Sequence, residues 1–168
     1  MRNAFQEELG SFHGTLVRMG KLVEESMSSA TKALLEPNLE LAQKIIKEDD
    51  TIDDMQHELD ARTMLIIARQ SPVAGDLRTL VTSLRMSADL ERMGDMAHHI
   101  ARLARMRYPN CAVPAEIKEI IVQMDRVAVG IIQKTTAAIE TRNTTLALQL
   151  EKEDRKSTRL NSSHEWIS

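Results

Sequence analysis

Apolar residues recur every three or four positions through three long stretches, and this periodicity constrains the fold more than any other feature. The first stretch runs from about residue 4 to 35, the second ends at Gln70-Ser71-Pro72, and the third extends from about Val73 to Arg107. Such spacing is typical of amphipathic helices, and proline ends a helix because it cannot continue the hydrogen-bond ladder. Long helices joined by very short turns pack antiparallel. The sequence therefore predicts an all-α fold that begins with an antiparallel three-helix bundle.

The composition agrees with a helical bundle and argues against several functional classes. Aromatic residues make up 2% of the chain and ten residues are Met, so the core must consist of aliphatic and thioether side chains. A net charge of −3 provides no basic field over the chain, so we expect no nucleic-acid partner. Cys111 is the only cysteine, which fits a reducing compartment. With neither a signal peptide nor an apolar run of about 18 residues, we expect a cytoplasmic protein without a membrane span.

A second unit is expected after the proline-containing segment Tyr108–Pro114, which we interpret as a domain boundary. A fourth helix is predicted from about Ala115 to Glu140, followed by a turn at Thr141-Arg142-Asn143 and a fifth helix that begins near Thr144. Apolar periodicity assigns the following residues to the inner face of the fourth helix: Ile117, Ile120, Ile121, Met124, Val127 and Ile131.

The fourth and fifth helices repeat the pattern of the first two at a distance of 105 positions. Both segments consist of a long helix, a short turn and a helix that carries an acidic cluster, which we interpret as a duplication of a three-helix unit. The alternative is that helical sequence of low complexity produces such matches by chance. The matched pairs are Thr31 and Thr136, Ala33 and Ala138, Asn38 and Asn143, Leu41 and Leu146, Ala42 and Ala147, and Lys47-Glu48-Asp49 and Lys152-Glu153-Asp154.

The repeat stops at the C-terminus, where hydroxyl, amide and charged residues replace the apolar period from Lys156 onward. This tail resembles translated vector sequence, although a natural polar C-terminus would also fit. We predict a complete three-helix bundle at 1–108, an incomplete second repeat of two helices at 109–155, and a non-native tail at 156–168. The missing third helix would leave the inner face of the fourth helix partly exposed, as an aggregation-prone or dimerisation surface.

Two acidic clusters on the second and third helices form a candidate metal site. Asp49 and Asp53 are separated by four positions, as are Glu91 and Asp95, so each pair leaves one face of its helix. The turn near Ser71-Pro72 lies about midway between the clusters, and an antiparallel hairpin therefore brings them level. Carboxylates on facing helices are how bundles hold metal ions. The alternative is a solvated acidic face that Lys44, Lys47 and Arg92 balance, which is the usual role of a charge run.

Three sequence elements resemble the PhoU family of phosphate-signalling regulators. They are Lys47-Glu48-Asp49-Asp50-Thr51-Ile52-Asp53, Gln70-Ser71-Pro72-Val73-Ala74-Gly75-Asp76-Leu77-Arg78 and Ser87-Ala88-Asp89-Leu90-Glu91-Arg92-Met93-Gly94-Asp95. The resemblance covers about residues 5 to 155 and implies two three-helix bundles in tandem. In this family each bundle carries a Glu/Asp-x-x-x-Asp signature on two helices, and these signatures imply a multinuclear iron or zinc cluster.

The resemblance assigns the metal ligands to Glu48, Asp49, Asp53, Glu91 and Asp95. Weaker candidates are Asp89, Arg92, Glu153 and Asp154. An all-carboxylate ligand set by itself favours magnesium, calcium or manganese, so the identity of the metal stays open. In the second repeat only Glu153 and Asp154 match the first signature, and the helix for the other signature is absent. We therefore expect one metal site where the family would have two.

The function implied by the resemblance is that of a regulatory adaptor rather than an enzyme. Such proteins link the ATPase subunit of a phosphate ABC transporter to a sensor histidine kinase and restrain the phosphate-starvation response, and the intact protein is expected to be a homodimer. The alternative function is that of an enzyme: a carboxylate-bridged metalloenzyme with His57 or His98 as additional ligands. Against that alternative, the di-iron pattern requires a Glu before each His and further bridging glutamates. We expect His98 and His99 to be solvated or to lie at an interface.

Overall fold

The computed structural model describes the backbone of residues 2–152 and the side chains from residue 6 onward. Regular structure in this range is helical throughout, which confirms the all-α prediction. The helices are α1 (Arg2–Leu35), α2 (Leu39–Gln70), α3 (Ala74–Arg107) and α4 (Lys118–Thr141), with a 3₁₀ turn at Ala115–Ile117 before α4 and a further helix, α5, over 144–152. None of the described helices combines the length and apolar composition that crossing a bilayer requires.

Short polar turns connect the helices at the predicted places. Pro37 follows the end of α1, and the side chain of Asn38 then caps α2 by accepting a 2.9 Å hydrogen bond from the Leu41 amide. At the other end of α2, Ser71 adopts a left-handed conformation with φ of 42°, and Pro72 prevents the helix from continuing. The turns are too short to let α1, α2 and α3 separate, so successive helices run antiparallel.

The core of the bundle lies between α1, α2 and α3. Its largest fully buried side chains are Phe12, Met19, Val23, Ile52, Leu59 and Leu80. Small residues cover much of the buried face of α3, among them Ser87, Gly94, Ala97, Ala101 and Ala104. Because small side chains let backbones approach closely, α3 packs tightly in the cleft between its two neighbours.

Helix α4 packs antiparallel against the outside of α1. His13 is hydrogen-bonded through Nε2 to the Ile139 carbonyl at 2.7 Å, and the Gln133 amide donates to Glu24 at 2.7 Å. At the opposite end of the pair, the Lys118 ammonium donates to the Leu35 carbonyl at 3.2 Å. Buried residues Ile132, Thr136 and Ile139 form the α4 side of this contact.

The predicted inner face of the fourth helix is not the face that packs against α1. The side chains of Ile117, Ile120, Met124 and Val127 are 42–62% exposed, and Ile131 is half-buried. Periodicity identified a real apolar stripe, but α1 covers a different side of the helix. The expectation that the inner face is partly exposed is confirmed for the described residues.

Geometry at the second turn supports the internal repeat. Asn143 accepts hydrogen bonds from the amides of Thr145 and Leu146 at 3.0 and 3.1 Å, and it therefore caps α5 as Asn38 caps α2, 105 positions earlier. The same shift relates exposed Ile117 and Met124 to the core residues Phe12 and Met19. The domain division at 108/109 stays a prediction, and the proposed foreign tail at 156–168 lies outside the described residues.

Candidate metal site

The α2–α3 hairpin brings the two acidic clusters level, as residue counting from the turn predicts. Asp49, which is buried, accepts a hydrogen bond through Oδ2 from Nδ1 of His98, with 2.5 Å between the two atoms. One turn away, Gly94 faces Ile52 and Asp49 across the helix pair. These contacts place the segment from 49 to 53 of α2 beside the segment from 91 to 98 of α3.

Four carboxylates, Asp49, Asp53, Glu91 and Asp95, share one electrostatic environment, and we call them the acidic seam. Partial burial raises the pKa of Asp53 above its ordinary value, and the charges of Asp49 and Asp95 raise it further. Burial also raises the pKa of Glu91, with additional contributions from Asp95, Asp53 and Asp49. Carboxylates of both helices thus raise the pKa of each of these two acids. A cation bound at the seam would relieve this repulsion.

The glycine within the signature has a packing explanation. Gly94 is buried, and a Cβ atom at this position would lie 3.1 Å from Cδ1 of Ile52 and 3.5 Å from Oδ1 of Asp49. An alanine would therefore crowd Cδ1 of the core residue Ile52, whereas the Asp49 carboxylate would lie at an ordinary van der Waals distance. Gly94 lets the two helices approach at the level of the acidic seam.

Glu48 lies apart from the seam. Its carboxylate is 3.5 Å from Nζ of Lys44, and the same ammonium is 3.7 Å from Glu25 of α1. The side chain of Glu48 is about half exposed. The structure therefore directs Glu48 toward α1, whereas the other four expected ligands lie close enough along α2 and α3 to affect one another's charge.

The weaker candidates divide into three groups. Asp89 is exposed on α3. Arg92 is also exposed, but its positive charge lowers the pKa of the neighbouring Glu91 and partly opposes the acids of the seam. Glu153 and Asp154 lie outside the described residues.

The seam suits a metal ion by its charge and donor atoms but is not a finished coordination sphere. Oxygen donors from four clustered acids are the ligands that hard divalent cations prefer. Within residues 2–152, however, no three His, Cys, Asp or Glu side chains converge closely enough to hold an ion as they stand. Binding would require at least one side chain to change rotamer, and we derive no reaction step from such an ion.

One member of the site, His98, was considered from the sequence only as a ligand of the alternative metalloenzyme. His98 is half-buried and bonded to Asp49, whereas we expected a solvated or interface residue. Its position three residues after Asp95 on the same helix was the available signal, because residues at that spacing share a face. His57 is exposed, and its charge lowers the pKa of Asp53. His13 lies away from the seam, where its hydrogen bond with the Ile139 carbonyl joins α1 to α4.

Comparison with known proteins identifies the family. The PhoU domain model matches residues 16–104, which include α2, most of α1 and both acidic clusters. A Mycobacterium tuberculosis protein named phosphate-specific transport system accessory protein PhoU homolog 2 is 35% identical over 154 residues, covering 92% of this chain and 72% of that relative. An Aquifex aeolicus PhoU homologue is 43% identical over 98 residues, covering 58% of this chain and 44% of that relative.

Solved structures lead to the same result. The crystal structure of PhoU from Pseudomonas aeruginosa matches with a TM-score of 0.75 and 30% identity, covering 95% of this chain and 74% of that one. A phosphate transport system regulatory protein PhoU from Streptococcus pneumoniae shares the fold, with a TM-score of 0.79 at 24% identity over 92% of this chain and 72% of that one. With the helical hairpin and its acidic seam, these matches show that the chain belongs to the PhoU family.

Proposed function

We propose that this protein is a regulatory adaptor of phosphate transport that acts by protein–protein contact rather than catalysis. In this proposal it contacts the ATPase subunit of a phosphate ABC transporter and a sensor histidine kinase. It restrains both phosphate uptake and the phosphate-starvation response when phosphate is plentiful. The protein would act in the cytoplasm, and its intact form would be a homodimer.

The observation that carries the proposal is the similarity to phosphate-specific transport system accessory proteins over most of the chain. The match at 35% identity covers 92% of the chain. Both acidic signatures lie within residues 16–104, which the family model matches. An accessory protein of a transport system must contact that system, and the long exposed helix faces of a bundle provide surface for such contacts. The same similarity supports a non-enzymatic role.

A pull-down tests the adaptor role. The full chain is immobilised and exposed in turn to the purified transporter ATPase subunit and to the cytoplasmic part of the sensor kinase from the same cell. Retention of at least one of them supports the proposal, and a phosphate-starvation reporter that rises when the gene is deleted supports its direction. If neither protein is retained and the reporter does not respond, the proposal is wrong.

We further propose that the acidic seam binds a metal ion that fixes the register of α2 against α3. Raised pKa values at Asp53 and Glu91 support this, because they indicate carboxylates held together at an electrostatic cost. Iron or zinc is implied by the family resemblance, and magnesium or manganese agrees with the oxygen donors.

Elemental analysis of the purified protein tests the metal. We expect the wild type to retain metal and the variant Asp53→Ala/Asp95→Ala to lose it. The variant Asp54→Ala/Glu58→Ala is the matched control, because it removes two exposed acids of α2 that do not belong to the seam. Equal metal content in all three proteins, or none in any of them, would exclude the seam as the binding site.

A further inference from the structure

The C-terminal part of α3 has an unusual charge pattern for this chain. Residues 96–108 contain three Arg and two His and no Asp or Glu, although the chain as a whole has a net charge of −3. Apolar Met96, Leu103, Met106 and Tyr108 are interspersed among these basic residues. A helix that combines basic and apolar residues in this way is typical of segments that bind at a membrane surface.

The structure shows that these residues are on the outside of the bundle. Ala97, Ala101 and Ala104 face the bundle and are buried. On the opposite side of the helix, the exposed fractions are 57% for Met96, 46% for Leu103 and 74% for Met106. We call this surface the α3 outer face and define it by Met96, His99, Arg102, Leu103, Met106 and Arg107.

The guanidinium groups of the α3 outer face are available for an external partner. Arg102 and Arg107 are exposed, and neither has a carboxylate within ion-pair distance among the described residues. Arg105, also exposed, adds a third positive charge beside them. The acidic seam lies further toward the N-terminus of α3, at Glu91 and Asp95. An anionic surface can therefore approach the last three turns of the helix without meeting a carboxylate of α3 itself.

We propose that the α3 outer face binds the surface of an anionic lipid bilayer. Met96, Leu103 and Met106 would enter the boundary between head groups and acyl chains, while the long Arg side chains reach the lipid phosphates. Tyr108, 49% exposed at the end of the face, has the amphipathic ring that is enriched at membrane interfaces. A bilayer fits this convex helix because it needs no matching groove, whereas an acidic protein partner would have to provide one. The proposal goes beyond the adaptor role, since it concerns direct contact with lipid.

Sedimentation with lipid vesicles tests the proposal. The full chain is mixed with vesicles of phosphatidylcholine alone or of phosphatidylcholine and phosphatidylglycerol in equal parts. We expect binding only to the anionic vesicles, and loss of that binding at about 0.5 M salt, where exposed charges are screened. Arg102→Glu/Arg107→Glu should weaken binding by at least about thirtyfold, because the loss of each basic residue near an anionic surface costs about fivefold and each new carboxylate adds repulsion.

A matched control distinguishes a local effect of the α3 outer face from an effect of the protein's net charge. Arg69→Glu/Arg78→Glu changes the net charge by the same amount at exposed positions near the α2–α3 turn, at the other end of the bundle. It should retain most of the binding. Leu103→Gln/Met106→Gln should weaken binding without changing the thermal midpoint, because both side chains are exposed.

Three results would overturn the proposal. They are the absence of binding to anionic vesicles, equal binding to neutral vesicles, and equal weakening by the two charge-reversal variants. If an acidic helical peptide binds the wild type in an Arg102-dependent and Arg107-dependent manner while the vesicles do not, the face is a protein-binding surface instead. Because the assay contains neither transporter nor kinase, its failure leaves the adaptor role untouched.

Discussion

Glu91 and Asp95 form a like-charge pair on one helix face, and Gly94 is a poor helix former beside them. The structure separates the reasons for these choices. Gly94 is a packing residue, because an added Cβ atom would lie only 3.1 Å from Cδ1 of Ile52. The carboxylates cannot be explained by packing, since burial and mutual repulsion raise the pKa of Glu91 and of Asp53 opposite. At the scale of the residue, packing therefore explains the glycine, whereas the acids are the basis of the proposed metal site.

Neutralising Asp53 should stabilise the metal-free protein. In the presence of a chelator at pH 7, we expect Asp53→Asn to raise the thermal midpoint by about 2–4 °C, because several repulsive pairs of a few tenths of a kcal/mol each are removed. Asp54→Asn, the exposed neighbour, should change it by less than about 1 °C. A fall in the midpoint of Asp53→Asn under chelation would contradict the description of the seam.

This effect should depend on pH in a defined direction. The folded-state pKa of Asp53 lies above its ordinary value of 3.8, so the folded protein holds this proton more tightly than the unfolded chain does. Its contribution to stability is present below the ordinary value and is lost as the pH rises through the raised value. The gap between Asp53→Asn and wild type should consequently narrow as the pH falls from 7 toward 4 in thermal melts. A gap that stays constant over this range would show that the substitution acts other than through charge.

Gly94→Ala tests the packing argument. Added helix propensity contributes about 1 kcal/mol, but overpacking against Ile52 costs about 1–3 kcal/mol, so we expect a net loss of about 1 kcal/mol. Gly130→Ala in α4 should instead gain about 0.5–1 kcal/mol, because nothing lies within 4 Å of the new Cβ. Urea denaturation measures both. The argument fails if the two substitutions stabilise the protein alike.

At the scale of the element, the α1–α4 contact joins the two repeats. The buried hydroxyl of Thr136 lies where a Cβ atom on Gly20 would be, and the hydrogen bond of His13 with Ile139 fixes the end of α4. Because Thr is branched at Cβ and this one is buried, it has little freedom to move away. Gly20 is thus the position on α1 where an added side-chain atom would disturb the packing of α4.

Gly20→Ala should destabilise the protein by about 1–2 kcal/mol, because overpacking a closed contact costs up to about 3 kcal/mol and the added helix propensity offsets about 1 kcal/mol of this. Gly14→Ala on the same helix, where nothing lies within 4 Å of the added Cβ, should be neutral or stabilising. Unfolding by urea distinguishes them. Adding Thr136→Ala to Gly20→Ala should restore part of the loss, since the two side chains compete for one space. Strict additivity of the two substitutions would rule out this contact.

At the scale of the whole molecule, the exposed stripe on α4 is the feature that most affects behaviour in solution. Its members Ile117 and Met124 are the repeat equivalents of Phe12 and Met19, which are fully buried in the first bundle. A surface with the composition of a bundle core gains free energy when it is covered. The chain spans 72% of the Mycobacterium tuberculosis relative and 74% of the Pseudomonas aeruginosa structure.

Met124→Gln/Val127→Gln should reduce self-association of this chain, because it places polar groups in the centre of the stripe. Analytical ultracentrifugation over a range of concentrations should show a larger monomer fraction than for wild type, with an unchanged thermal midpoint. Met64→Gln/Leu65→Gln on α2 replaces two exposed apolar residues elsewhere and should leave self-association as it is. If both double variants behave like the wild type, the stripe has no role in association.

The sequence by itself determined the helices, their ends and the pairing of the acidic clusters. These depend on local chemistry: apolar spacing, proline, the Asn38 cap, and the counting of residues away from a short turn. The sequence predicts that the two halves of the acidic seam lie level with one another, because an antiparallel hairpin has only one register once its turn is known. The repeat was visible for the same reason, since Asn143 caps its helix with the same local chemistry as Asn38.

Only the tertiary structure decided which neighbour covers each helix face. Periodicity shows that Ile117 and Met124 share a stripe with one another, but it does not show that α1 packs on the side that carries Thr136. For the same reason, the sequence did not predict that Glu48 pairs with Lys44 on the side of α1 or that His98 is hydrogen-bonded to Asp49. Both residues nevertheless lie on correctly predicted helices. A residue's face is a property of its own helix, whereas its partner depends on how the helices are arranged in space, and that arrangement is set by packing among distant parts of the chain.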